Sequence, residues 1–202
     1  MPVSAATDAI ERQPVIPDPV LPIVSVSQGR FPHRVVVQSC GQHHRNRRSG
    51  AMMQPARIEL DLESVSRSPV SGLVTAGIWI RADGQDFPAN GWTDSAVVIL
   101  ATLEEGVLRL LRGDSASERV SFMEGPFVVG VDGTRVGPWS MALVQRKRSG
   151  DVETSATVER EPFVQSLIHA SDRILRICRY REWETVDSIR LANATTALRR
   201  FV

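Results

Sequence analysis

Residues 56–81 read ARIELDLESVSRSPVSGLVTAGIWIR and residues 92–113 read WTDSAVVILATLEEGVLRLLRG, and the change of hydrophobic period between them decides the fold. In the first stretch Ile58, Leu60 and Leu62 alternate with Glu59, Asp61 and Glu63. A period of two places the apolar set on one side of an extended chain, so a strand with one wet face is predicted from residue 56. Residues 73–81 are almost continuously apolar, which predicts a strand buried on both faces, with 67–72 as the connection. In the second stretch Ala96, Ile99, Leu100, Leu103, Val107, Leu110 and Leu111 recur at helical spacing, and Gly113 is the expected stop. The helix is expected to begin near Thr93, whose hydroxyl caps free N–H groups. Asp94 then sits at the positive end of the dipole and Trp92 staples onto Val97. Between the two stretches, ADGQDFPANG (82–91) reads as turn chemistry.

Downstream, strands are predicted over 120–123, 127–131, 139–146 and 152–158, separated by Gly125-Pro126, Asp132-Gly133 and Ser149-Gly150-Asp151. Connections this short favour antiparallel neighbours. Pro162 opens a second helix reaching Tyr180, in which Phe163, Leu167, Ala170, Ile174 and Ile177 recur at steps of three and four, and a third helix is predicted over 186–199. The expected fold is α+β: an antiparallel sheet of about six strands with two or three helices packed on it.

Upstream the pattern is lost. Pro2, Pro14, Pro17, Pro19 and Pro22 remove donors and block helix, and CGQHHRNRRSG (40–50) has no hydrophobic period. We expect residues 1–52 to be a poorly ordered, dispensable extension, with Met52 or Met53 as an alternative start, ahead of a single domain over 53–202.

At 202 residues, with 42% hydrophobic and 23% charged residues, the chain suits one globular domain and neither wholesale disorder nor a coiled coil. Residues 1–52 hold six arginines and three acids, leaving eighteen basic and twenty acidic groups in the rest. A nucleic-acid binder needs a concentrated basic footprint, and the expected domain is slightly acidic. Lys147 is the only lysine, an arginine bias that fits a GC-rich bacterial source. No run approaches the roughly 18 to 20 apolar residues of a membrane helix, and no export signal is legible. Cys40 and Cys178, far apart in the chain, give no disulfide framework, so a cytoplasmic protein is expected.

Candidate chemistry is sparse. Cys40, His43 and His44 lack a fourth ligand for a closed metal site, and no metal or cofactor is expected. Cys178 and His169 are nine positions apart on one helix, too far along its axis for a nucleophile and its base. Asp83, Asp86 and Asp94 span a loop of calcium-site length, but Pro88 stands where the turn needs glycine. Glu104 and Glu105 are adjacent on a helix and read as part of a solvated face. A hydrolase or transferase using an acid of the 83–94 loop is an alternative without an assembled base, nucleophile and oxyanion donor. Weak nucleic-acid binding through Arg45, Arg47 and Arg48, or through Arg146, Lys147 and Arg148, is a second alternative. Neither cluster is interleaved with aromatics.

The segment DGQDFPANGWTD with the helix after it, and the later FMEGPF, resemble a loose group of small bacterial proteins similar to the immunity-type partners of toxins. Members carry a comparable FP…W-x-D stretch and an F-M-D-G-P-Y run, where this chain has Glu124 and Phe127. The resemblance implies a non-catalytic protein-binding module and supplies no catalytic residues. Asp83, Asp86, Phe87, Trp92 and Asp94 are the candidate partner-binding residues, a mixture of acids and aromatics suited to a basic protein such as a nuclease toxin.

Overall fold

The computed structural model describes residues 55–202. The expectations for residues 1–52, including Cys40, His43, His44, Arg45, Arg47 and Arg48, lie outside the described residues. The order of elements is β1 (Arg57–Arg67), β2 (Val74–Ala82), β3 (Gln85–Phe87), β4 (Thr93–Asp94), α1 (Ala96–Arg112), β5 (Ser117–Ser121), β6 (Phe127–Asp132), β7 (Trp139–Gln145), β8 (Val152–Val158), α2 (Arg160–Tyr180) and α3 (Val186–Leu198).

The class is α+β, as expected, with three helices; the sheet is different. Instead of one sheet of about six strands there are two antiparallel sheets of four. In the first, β1 and β3 flank β2, and β4 also pairs with β2; the second runs β5-β6-β7-β8. The alternation read in β1 holds for Ile58 and Leu60, both buried. Its parity then changes, because the register shifts between Asp61 and Ser66 and the next buried residue is Val65. Ser64 closes this bulge: its hydroxyl donates to the Asp61 carbonyl (2.7 Å) and accepts from the Gly77 N–H (2.7 Å). In β2 Ile78, Trp79 and Ile80 are all buried, so both faces of the strand are covered.

α1 explains why one sheet became two. Its buried residues encircle most of the helix, leaving a narrow wet stripe of Val98, Thr102, Glu105, Arg109 and Arg112. A helix apolar on so many sides belongs inside a domain, not on a single sheet. α1 packs against β2 of the first sheet, β5 of the second, and both other helices, while α2 lies on β1. Gly113 ends α1 in the left-handed conformation (φ 81°). Its N–H bonds to Leu110 (3.1 Å) and the Asp114 N–H to Arg109 (2.9 Å), the two bonds of a Schellman stop.

The start of α1 is corrected. Thr93 and Asp94 form β4, paired with Gly77 and Ala76, and the N-cap is Ser95, which makes no side-chain capping bond. A Thr93 backbone committed to a strand ladder cannot also cap the helix. Pro162 falls in the first turn of α2, and Thr185 and Ser188 cap α3 reciprocally.

Candidate functional site

The two segments that the sequence singled out separately, 83–94 and 122–127, are one structural unit. Asp94 joins them: its buried carboxylate accepts from the Ser95 N–H (2.6 Å), the Glu124 N–H (2.9 Å) and the Trp92 indole (3.4 Å). The aromatics close the same joint. Trp92 meets Phe127 edge-on with centroids 4.9 Å apart, and Phe87 meets Phe127 at 5.6 Å and Phe122 at 6.1 Å. Asp86 accepts two hydrogen bonds from Arg81 (2.7 and 2.9 Å) and one from Asn90 (3.3 Å). The Arg81 guanidinium holds the Asp86 carboxyl below its ordinary range, against the opposing pull of desolvation. Of the five candidate partner-binding residues, Asp94 is buried, Phe87 and Trp92 are half-buried in aromatic contacts, Asp86 is paired, and Asp83 is exposed at a turn. Beside them, the buried Trp79 indole N–H makes no hydrogen bond of normal geometry among the described residues, and the Asp86 carboxylate is the acceptor it lies close enough to influence.

Glu104 departs from its expected place on a solvated face. It has 0% exposure and sits between all three helices, where Ser171 of α2 donates to Oε1 (2.7 Å) and Thr195 of α3 approaches Oε2 (2.8 Å). Burial, only partly offset by these hydroxyls, pushes its pKa up to about 7. Glu105, one residue on, points to the wet stripe and pairs with Arg190 (2.5 Å), which holds its carboxyl low. The signal for Glu104 was in the sequence: it lies four residues after Leu100 and three before Val107, on the apolar stripe itself.

An exposed apolar feature that sequence reasoning missed is the corner between α2 and α3. A cavity of about 450 Å³ there is lined by Leu175, Cys178, Trp183, Ile189 and Ala192 together with the polar Arg179, Glu182, Glu184 and Ser188. Arg181 ties the corner down. Its guanidinium donates to the Val65 carbonyl (3.1 Å) and lies 4.8 Å over the Trp183 ring. Tyr180 and Val186, 90% and 82% exposed, line separate grooves, the first beside Leu62 and α2 and the second beside α1 and α3. The Cys178 thiol is buried and its pKa is raised by that burial, the wrong direction for a nucleophile.

Other candidates are spread out. Arg146, Lys147 and Arg148 sit exposed at the end of the β7–β8 hairpin, and His169 is exposed on α2. The cavities beside α2, α3 and the 133–136 loop are lined by none of Asp86, Asp94 or His169, so the acid-and-histidine pocket that an enzyme reading would need does not form in them. Among the described residues, no group of three or more His, Cys, Asp or Glu side chains is placed to hold a metal ion, and no helix is long and apolar enough to cross a membrane.

No protein-family model matches the chain, and no curated protein or solved structure is significantly similar to it.

Proposed function

We propose that the chain is a non-catalytic protein-binding module, an immunity-like partner that masks another bacterial protein, and that its contact surface is the α2–α3 corner. The observation that carries this is a cavity of about 450 Å³, lined by Leu175, Cys178 and Ala192, with Ile189 half-exposed on it and Trp183 held in place by Arg181. Tryptophan and arginine beside a pocket that can take an apolar anchor are among the residue types that dominate measured interface energies. The cavity lies on helices, so an arriving side chain meets a surface already formed and little ordering is required. The 83–94 loop is the poorer choice because four of its five candidates are already engaged within the fold.

A photo-cross-linking amino acid placed in living cells of the source organism at Ile189, and separately at Asp83, compares the two surfaces directly. The corner reading expects a discrete covalent adduct with one identifiable protein from position 189 and none from position 83. An adduct from position 83 alone would return the acidic loop, and its basic partner, to first place.

A further inference from the structure

We infer that the partner presents an acidic segment with interspersed apolar side chains, and that it lies across the outward face of the C-terminal half of α2. This rests on the binding-module reading and gives its partner a chemistry, opposite in sign to the basic partner that the 83–94 acids suggest.

Arg173, Arg176 and Tyr180 follow one another at three and four residues and so form one stripe of the helix. With Ile177, Arg181 and Leu62 of β1 they line a groove of about 370 Å³ on the side of α2 away from α3. Arg179, on the other flank, lines the α3 cavity. The nine residues 173–181 thus hold four arginines, one tyrosine and no acid. Among the described residues Arg173, Arg176 and Arg179 enter no salt bridge, unlike Arg81, Arg109, Arg190 and Arg199 elsewhere on the surface. Asp172, just before the stripe, is occupied by Arg199 (2.5 Å); Asp61 and Glu63 flank Leu62, and Glu182 follows Arg181, but none of them pairs with Arg173, Arg176 or Arg179 among the described residues.

Unpaired guanidinium forks offer bidentate donors to carboxylates, a planar match that a lysine-type point charge does not provide. The floor decides what else the ligand carries. Ile177 and Leu62 are partly buried apolar surface between the arginines, and Tyr180 is 90% exposed, so a chain of carboxylates alone would leave them wet. A nucleic acid fits less well. The stripe spans roughly 10 Å at a rise of about 1.5 Å per residue, too short for the many phosphate contacts that sustain such binding, and the rest of the described domain is acid-rich. A segment of alternating acids and leucines or aromatics meets both the forks and the floor.

The test uses the full chain and four fluorescein-labelled probes: a twelve-residue Asp/Glu peptide bearing leucines, the same peptide with serine for leucine, the same with lysine for the acids, and a twelve-nucleotide single-stranded DNA. Anisotropy titrations are expected to rank the acidic leucine peptide about tenfold or more above each of the others, a gap of about 1.4 kcal/mol. Arg173→Glu with Arg176→Glu should abolish that preference, Arg173→Gln with Arg176→Gln should reduce it, and Arg146→Glu with Arg148→Glu should leave it unchanged. Circular dichroism establishes that each variant is folded. Equal binding of the serine peptide, tighter binding of the DNA, or indifference to both α2 double variants would overturn the inference. The cross-links keep the two claims apart: an adduct from position 189 to a partner that has no acidic segment sinks the acidic partner and leaves the binding module standing, whereas no adduct from either position 189 or position 83 sinks the module itself.

Discussion

Replacing Glu104 by glutamine should leave stability nearly unchanged at pH 5 and raise it at pH 8. The magnitude follows from the buried carboxyl. Its ordinary pKa of 4.5 is raised to about 7 in the folded chain, so between those values the native state holds a proton that the unfolded chain has released. Stability from this group is therefore fully present below pH 4.5, declines as pH rises towards 7, and is lost above it, by about 3 kcal/mol at 1.36 kcal/mol per tenfold change in proton affinity. Glutamine copies the protonated form. Its carbonyl can accept from Ser171 and its amide can donate to Thr195, whose own hydroxyl then satisfies the Leu191 carbonyl at 2.8 Å. One amide hydrogen is left over, at a cost of about 1 kcal/mol. The net expectation is a gain of about 2 kcal/mol at pH 8 and little change at pH 5, where the wild type has already lost about 1 kcal/mol. With a urea slope of about 2 kcal/mol per molar, the midpoint difference between variant and wild type should move by roughly 1 M between the two pH values. Urea denaturation followed by tryptophan fluorescence at pH 5, 6, 7 and 8 measures this. A constant difference across that range would refute the assignment of Glu104 as a proton-holding buried acid.

Asp94→Ala removes the acceptor for the Ser95 and Glu124 N–H groups and should cost about 2 to 3 kcal/mol in chemical denaturation, with the buried Ser95 donor and the part-buried Glu124 donor left unpaired. Asp86→Lys, at a partly exposed pair, should leave the midpoint close to wild type, and a loss as large as that of Asp94→Ala would mean the loop is wrongly apportioned. Gly133→Ala would drive a Cβ into the Trp139 ring, so the substitution should displace a fully buried tryptophan and cost about 3 kcal/mol or more; unaltered tryptophan fluorescence and stability would contradict that packing. Because the carboxyls of Asp86, Glu105 and Glu118 are all held low by arginine partners, their contribution is lost as pH falls below their ordinary values while that of Glu104 is lost as pH rises towards 7. Wild-type stability should accordingly peak near pH 5, and a maximum at pH 8 in the same titration would contradict the sign of the Glu104 contribution.

Where a segment's own period set its structure, the sequence was enough. Ile58 and Leu60, the run through β2, the α1 stripe ending at Gly113, and the start and end of β8 are all legible in this way. β3 and β4 were not, since strands of three and two residues carry no period and are held by β2's ladder alone. The division into two sheets also escaped, because the alternation of β1 and the apolar run of β6 are the same whether they share a sheet or face α1 from different sides. Asp94 and Trp92 looked available to a partner because their engagement depends on Glu124 and Phe127, thirty-odd residues away, a long-range pairing that no local pattern encodes. The α2–α3 corner was hidden for a related reason. Trp183 and Arg181 follow a helix end, where the sequence shows an aromatic and a charge but not the cavity that α3 makes by folding back.

The most direct measurement of the central claim is the native mass of the chain in gently lysed cells of its source, wild type against Trp183→Ala with Ile189→Asp, each first established as folded. The account predicts that the wild type runs as a defined heteromeric complex and that the double variant falls to the 22.3 kDa of the free chain. A wild type that is itself free, or a complex that survives the double variant intact, would contradict it.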